Sequence, residues 1–195
     1  IIGAGTMGAG IAGLFAHAGC DVSLVDLNEE LLERGRKLLK MGQEALLEAG
    51  LRKVGDAEDD RQRVTTTLNP EEACEGVDLL VEAISEDLDL KKEMFRKFET
   101  FCPPDAILAT NTSGLSVSAI AGVTGKADRV AGMHFWNPPH IIPLVEVTRG
   151  AETSDKTAQA LMDVSRRLGK KPILVRHDVP GFVGNRLQFA VVREA

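Results

Sequence analysis

Short apolar runs alternate with longer amphipathic segments along the chain, as in the βαβ units of a mostly parallel sheet. The apolar runs predict one strand that ends at residue 2 and further strands over 22–26, 64–67, 78–83, 107–110, 130–136, 144–148 and 173–175. Helical periodicity predicts helices over 7–18, 28–49, 56–63, 86–101, 117–121 and 154–168. The sequence therefore predicts an α/β fold with a doubly wound sheet, in which the first two strands lie side by side.

A domain boundary is predicted at Pro180-Gly181, because an apolar helical pattern resumes after these turn residues. We expect residues 1–179 to form one domain and residues 180–195 to begin a second, all-helical domain. The chain opens inside an apolar run and closes without a helix stop signal, so we also expect the N-terminal strand and the second domain to be truncated.

Composition narrows the class of protein. The 195 residues are 44% hydrophobic and 27% charged, which excludes disordered and collagen-like chains. A net charge of -6 argues against nucleic acid or an anionic membrane as the main partner, and no run is apolar enough to span a bilayer. Three widely spaced cysteines indicate neither a disulfide framework nor a metal site. We expect a cytoplasmic protein that binds a small molecule.

A glycine-rich loop lies between the first strand end and the first helix. Its G-x-G-x-x-G spacing falls on Gly3, Gly5 and Gly8, with Thr6 and Met7 before the third glycine. The first glycine makes a tight turn, the second lets the backbone approach a pyrophosphate, and the third allows close packing of helix on sheet. The motif is weak by itself, but its position predicts a Rossmann-like, dinucleotide-binding domain.

Asp26 ends the next strand, 18 residues after Gly8. A carboxylate at this position accepts hydrogen bonds from both ribose hydroxyls of NAD, although a turn or helix-capping role is the alternative. It would repel a 2′-phosphate, and no basic residue follows before Arg34. The sequence therefore predicts NAD rather than NADP.

Two acids, Glu82 and Glu86, lie near the carboxyl edge of the sheet, where open α/β folds bind ligands. Glu86 opens a predicted helix that carries Lys91. Without a ligand, Glu86 is explained as an acid favoured by the helix dipole and Lys91 as an exposed lysine. Periodicity alone favours that interpretation.

Glu146 lies in an otherwise apolar strand and needs a partner there. His134, on the strand joined to it by a short turn, is the natural candidate. A carboxylate bound to one imidazole nitrogen fixes the tautomer and leaves the other nitrogen as a base. The other histidines show no such acid and are interpreted as structural; they are His17, His140 and His177.

Ser113, in Asn-Thr-Ser-Gly, lacks the Gly-x-Ser-x-Gly setting of a nucleophile, so a hydrogen bond to substrate is the more plausible role. Ser116 is better placed to cap the following short helix. Asn185, in Gly-Phe-Val-Gly-Asn-Arg, fits a helix cap and a ligand contact equally.

Together these motifs resemble the NAD-binding part of the L-3-hydroxyacyl-CoA dehydrogenase family. The resemblance covers nearly the whole chain, since segment 81–91, Asn-Thr-Ser, His-Phe-x-Asn-Pro, Leu-Val-Glu-Val and Pro-Gly-Phe-Val-x-Asn-Arg follow the glycine loop in family order. It implies catalytic roles for His134, Glu146, Ser113 and Asn185. With the glycine loop, it implies cofactor contacts at Gly3, Gly5, Thr6, Met7, Gly8, Asp26, Ala83, Glu86, Lys91, Ser113 and Asn137.

In the reaction that the resemblance implies, the substrate hydroxyl carbon gives a hydride to NAD while His134 takes the hydroxyl proton. Glu146 balances the imidazolium, and Ser113 and Asn185 polarise the substrate oxygens. The resemblance also implies an acyl-CoA substrate and a homodimer formed through the helical domain.

The chain departs from the common family pattern at Gly114, where many members have a second serine, and at Pro139, which makes Asn-Pro-Pro. Relatives that act on free hydroxy acids or carnitine, and the lambda-crystallins, are similar in using Asn-Pro-Pro. A dehydrogenase of a non-CoA 3-hydroxy compound and a crystallin-like protein without catalysis are therefore alternatives. The 6-phosphogluconate and β-hydroxyacid dehydrogenases fit less well, because no lysine follows Lys171.

Overall fold

A computed structural model describes residues 1–195, apart from the side chain of residue 54. The strands are β1 (Val22–Val25), β2 (Val64–Thr67), β3 (Leu79–Glu82), β4 (Ile107–Thr110), β5 (Val130–Phe135), β6 (Leu144–Arg149) and β7 (Lys171–Val175). The helices are α1 (Thr6–His17), α2 (Glu29–Glu48), α3 (Val54–Gln62), α4 (Pro70–Ala73), α5 (Leu88–Phe101), α6 (Val117–Ala121), α7 (Asp155–Arg167) and α8 (Gly184–Glu194). Among the described residues, no helix has the length and hydropathy of a membrane span.

One sheet organises the molecule, and Ile2 joins its two halves. β2 pairs with β1 in parallel, and Ile2 forms parallel bridges to Val25 of β1 and Glu82 of β3. From β3 the order continues through β4, β5, β6 and β7, and only the β5 and β6 pair is antiparallel. The order from β2 to β5 is that of a Rossmann fold. The predicted doubly wound, mostly parallel sheet is confirmed.

Helices cover both faces of the sheet. On one face, Phe15 of α1 and Leu161 of α7 belong to a core cluster that includes Val81. On the other face, Phe98 of α5 belongs to a second cluster that includes Leu80. Adjacent residues of β3 thus enter opposite clusters, as the strand pleat requires.

Three differences from the predicted elements have local causes. α5 begins at Leu88 rather than residue 86, because the Asp87 side chain caps it and accepts a hydrogen bond from Leu90 N at 2.9 Å. α4 was not predicted, although Asn69 caps it. β7 begins two residues before the predicted start, since Pro172 is tolerated in a strand at the sheet edge.

The glycines of the first loop are required by close approaches. At Gly3 φ is +101°, and a Cβ there would lie 2.6 Å from the Ala83 oxygen. A Cβ on Gly8 would lie 1.7 Å from the Gly3 oxygen, and one on Gly35 of α2 would lie 2.7 Å from Ala4 Cβ. The loop therefore packs tightly between β3, α1 and α2.

We expect Gly8→Ala to lower the free energy of unfolding by about 1–3 kcal/mol, because overpacking forces the loop and α1 apart. Gly13→Ala on the same helix is the matched control. Its Cβ would come no closer than 3.9 Å, to Leu39 Cγ, and alanine favours a helix over glycine by up to about 1 kcal/mol. Denaturant unfolding of both variants tests this, and a Gly8→Ala variant as stable as wild type would contradict the close approach.

Candidate functional site

Glu146 is buried in β6 and accepts four hydrogen bonds. His134 Nδ1 lies 2.7 Å from Oε2, and Trp136 Nε1 donates to the same oxygen at 3.1 Å. The backbone N–H groups of Val183 and Gly184 each donate to Oε1 at 2.9 Å. Burial raises the pKa of Glu146, but these hydrogen bonds outweigh burial and lower the pKa to about 2. The carboxylate is therefore charged near neutral pH.

The register of β5 and β6 places His134 directly opposite Glu146, so the structure brings together the pair that the sequence predicted. Because an ionised carboxylate only accepts hydrogen bonds, the proton of the neutral imidazole lies on Nδ1 and the lone pair on Nε2. The rings of Trp136 and Phe182 flank the imidazole, each with its centroid 5.8 Å away. The arrangement fixes both the tautomer and the direction of the free nitrogen.

The loop after β4 forms hydrogen bonds with two other segments, at Glu86 before α5 and at Asn185 in α8. Thr112 Oγ1 and the backbone N–H of Ser113 donate to Glu86 Oε1 at 2.6 and 2.8 Å. Asn185 Nδ2, from the first turn of α8, donates to the backbone oxygen of Ser113 at 2.8 Å. The predicted residues Ser113 and Asn185 are thus brought together, and Glu86 acts as an acceptor for the loop rather than as the start of α5.

Lys91 is buried, so its interpretation as an exposed lysine is wrong. Its Nζ lies 2.6 Å from Oε1 of Glu82 and 3.5 Å from Oε2 of Glu86. Thr110 Oγ1 donates to the other oxygen of Glu82 at 2.7 Å. A buried carboxylate needs such partners, and Glu82 draws the lysine inward. A direct contact between Lys91 and the cofactor stays a prediction.

The glycine loop and Asp26 fit a dinucleotide. Within the part of the chain that the structure describes, no side chain caps the N terminus of α1, so its first N–H groups point to a pyrophosphate position. A Cβ on Gly5 would meet nothing within 4 Å, which leaves an open face there. Asp26 accepts hydrogen bonds from Ala4 N and Leu27 N, both at 2.7 Å, and keeps lone pairs on both oxygens. The cap of α2 is Asn28 rather than Asp26.

Ala83 and Asn137 are two other residues predicted to contact the cofactor. Ala83 is immediately behind Gly3, and Asn137 is exposed in the loop that follows β5. Asn111, which was not predicted, accepts a hydrogen bond from the Phe135 N–H at 2.8 Å and fastens the end of β4 to β5.

Sequence reasoning missed Trp136 and the two backbone amides at Glu146. The amides carry no sequence signal, whereas Trp136 is the only tryptophan of the chain and an obligate donor two residues after His134. His17 was expected to lack an acidic partner, which is wrong. Its Nδ1 lies 3.1 Å from Asp60 Oδ2, because α3 packs against α1.

Comparison with known proteins supports the family that the sequence motifs resemble. Residues 1–179 match the family model described as 3-hydroxyacyl-CoA dehydrogenase, NAD binding domain. The whole chain aligns with 67% of the length of a probable 3-hydroxybutyryl-CoA dehydrogenase of Bacillus subtilis, with 42% sequence identity. It also aligns with 62% of the length of a 5-formyl-3-hydroxy-2-methylpyridine 4-carboxylate 5-dehydrogenase of Mesorhizobium japonicum, with 35% sequence identity.

Among solved structures, an (S)-3-hydroxybutyryl-CoA dehydrogenase from Ralstonia eutropha matches the whole chain and 68% of its own, with a TM-score of 0.94 and 35% identity. The chain therefore spans about two thirds of the length of these relatives. The comparisons confirm NAD as the cofactor and an oxidoreductase as the class of protein.

We expect acid to remove the stability that Glu146 contributes. A carboxyl with a pKa of 4.5 when unfolded and about 2 when folded stabilises the fold fully above pH 4.5, and this contribution disappears as the pH falls towards 2. At about 1.4 kcal/mol per pKa unit, it amounts to about 3 kcal/mol. Glu146→Gln should be less stable than wild type at pH 7, and the difference should shrink towards pH 2.

Denaturant unfolding between pH 2 and pH 7 measures this difference. Glu152→Gln, at an exposed acid in the loop after β6, is the matched control and should keep the pH dependence of the wild type. A stability difference between Glu146→Gln and wild type that is constant across this range would contradict the lowered pKa.

Proposed function

We propose that this chain, which belongs to the 3-hydroxyacyl-CoA dehydrogenase family, oxidises the 3-hydroxyl of a 3-hydroxyacyl-CoA to the ketone with NAD, and catalyses the reverse reaction. The observation that carries the proposal is the buried pair of His134 and Glu146, at 2.7 Å, beside the loop that holds Ser113. An acid–base pair of this kind at the carboxyl edge of a dinucleotide-binding sheet suits removal of a hydroxyl proton.

In this mechanism His134 Nε2 takes the proton of the substrate hydroxyl. Glu146 keeps its negative charge and stabilises the imidazolium that forms, while its bond to Nδ1 holds the ring in place. The Ser113 hydroxyl and the second N–H of Asn185 Nδ2, whose first N–H donates to the Ser113 backbone oxygen, polarise the substrate oxygens. NAD, when bound, supplies the acceptor for the hydride that leaves the same carbon, so that the alcohol becomes a ketone.

The chain's own groups suit the successive parts of the cofactor. The N–H groups at the start of α1 would bind the pyrophosphate, and Asp26 would bind the ribose hydroxyls. Glu86, Lys91 and Asn137 would hold the nicotinamide half of NAD. The Ser113 hydroxyl would contact both cofactor and substrate.

A non-CoA 3-hydroxy compound is the second candidate substrate. The Mesorhizobium japonicum relative is named for a pyridine carboxylate, which supports this alternative. So does the Asn-Pro-Pro segment, in which the chain resembles relatives that act on free hydroxy acids or carnitine. The homodimer and the cytoplasmic location expected from the sequence stay predictions.

The substrate class is tested with the full-length protein in an NADH-linked assay. Acetoacetyl-CoA, free acetoacetate and dehydrocarnitine are compared at equal concentrations. The proposal predicts the highest kcat/KM with acetoacetyl-CoA. A preference for either free compound would replace the CoA assignment, and no turnover of any of the three would favour a crystallin-like protein without catalysis.

We expect His134→Ala to lower kcat by about 10²- to 10⁴-fold, the usual contribution of a general base. NADH affinity should stay near the wild-type value, because the imidazole is not among the groups proposed to bind NAD. His177→Ala, at an exposed histidine, is the matched control and should keep the wild-type kcat. Steady-state kinetics and NADH titration measure both quantities, and an unchanged kcat in His134→Ala would rule out the proposed role.

A further inference from the structure

We propose that Trp136 is a positioning residue, which sets the pH range of the reaction by sharing one oxygen of Glu146 with His134. This inference rests on the proposed function of the His134 and Glu146 pair. The indole Nε1 donates to Oε2 at 3.1 Å, and His134 Nδ1 lies 2.7 Å from the same atom. Two N–H donors therefore compete for the charge on a single carboxylate oxygen.

The indole is held in this position by its surroundings. A Cβ on Gly184 would lie 2.2 Å from Cζ2 of Trp136, so the ring lies against the first residue of α8, where only a glycine leaves room. The Gly184 N–H also donates to Oε1 of Glu146. The ring is thus confined between the end of β5 and the start of α8, and its N–H remains directed at the carboxylate.

The electrostatic consequence has a definite sign. A hydrogen bond from the indole neutralises part of the negative charge on Oε2, which reduces the attraction between Glu146 and a protonated His134. Removal of this donor strengthens that attraction and stabilises the imidazolium form of the ring relative to the neutral form. Oxidation of the alcohol needs the neutral imidazole, so the acid limb of its pH profile moves to higher pH. Reduction of the ketone needs the protonated imidazole, so the alkaline limb of its pH profile also moves to higher pH.

Other charged groups on the surrounding elements are engaged elsewhere or exposed. Arg149 of β6 pairs with Asp155, Asp178 accepts hydrogen bonds from the start of α6, and Glu86 accepts them from the loop after β4. The exposed basic residues on β7 and α8 are Lys171, Arg186 and Arg193. In the described part of the chain, Glu146 is the acid that forms an ion pair with His134.

The test compares full-length wild type with Trp136→Phe, which keeps an aromatic ring and removes the N–H. Oxidation of 3-hydroxybutyryl-CoA and reduction of acetoacetyl-CoA are each followed from about pH 5 to 10. We expect the acid limb of oxidation and the alkaline limb of reduction to move up by about 0.5 to 1 pH unit. A lower rate with both limbs unmoved would show that Trp136 only packs, and would overturn the inference.

Phe182→Leu is the matched control. It removes a ring whose centroid is as far from His134 as that of Trp136, but it removes no hydrogen-bond donor. We expect no upward movement of either limb in this variant. An upward shift equal to that of Trp136→Phe would assign the effect to loss of packing and overturn the role of the N–H.

A measurement on the wild type makes the test independent of whether a variant folds. The indole N–H signal of Trp136, assigned through bond correlations to its own backbone, should lie downfield in a proton–nitrogen NMR spectrum and move with pH at the midpoint of the acid limb. A signal at the position of a free indole, unchanged with pH, would overturn the inference. Failure of wild-type turnover would instead defeat the proposed function.

Discussion

The carboxylate of Glu146 is the group on which the arrangement of this site depends. It lies in a central position of an apolar strand, where an unpartnered charge would cost several kcal/mol. The cost is offset by donors from two segments far apart in sequence: the side chains of His134 and Trp136 at the end of β5, and backbone amides at the start of α8. The hydrogen bonds that one buried carboxylate requires therefore fix the end of β5, the start of α8 and the imidazole between them.

The antiparallel pairing of β5 and β6 makes this possible. In a sheet that is otherwise parallel, these two strands run in opposite directions and bring His134 and Glu146 into register. Both side chains then lie on one face of the sheet, within reach of the loop after β4. Asn111, at the start of that loop, accepts a hydrogen bond from the Phe135 N–H, and Glu86 accepts hydrogen bonds from Thr112 and Ser113. His134, Ser113 and the glycine loop thus share one edge of the sheet.

The sequence predicted the fold class and the pairing of His134 with Glu146 because these features repeat a local pattern. Strand and helix periodicity determined the element order, and the buried acid at 146 pointed to His134. The misplaced start of α5 has a local cause, since Asp87 is the favoured capping residue and Glu86 instead accepts hydrogen bonds from the loop after β4. The burial of Lys91 depends on Glu82, nine residues away in sequence, and periodicity gave no sign of it.

Contacts that depend on tertiary structure alone could not be predicted. The amides of Val183 and Gly184 have no side-chain signature, and the approach of Trp136 to Gly184 depends on how α8 meets β5.

The central claim, that Glu146 acts through His134, is tested most directly by a double-mutant cycle on kcat in the full-length protein. The cycle compares wild type, His134→Ala, Glu146→Gln and the double variant, with acetoacetyl-CoA and NADH as substrates. If the carboxylate acts only by holding the imidazole and stabilising its protonated form, the double variant should have nearly the kcat of His134→Ala alone. Losses that multiply in the double variant would contradict the account, because Glu146 would then contribute to the reaction independently of His134.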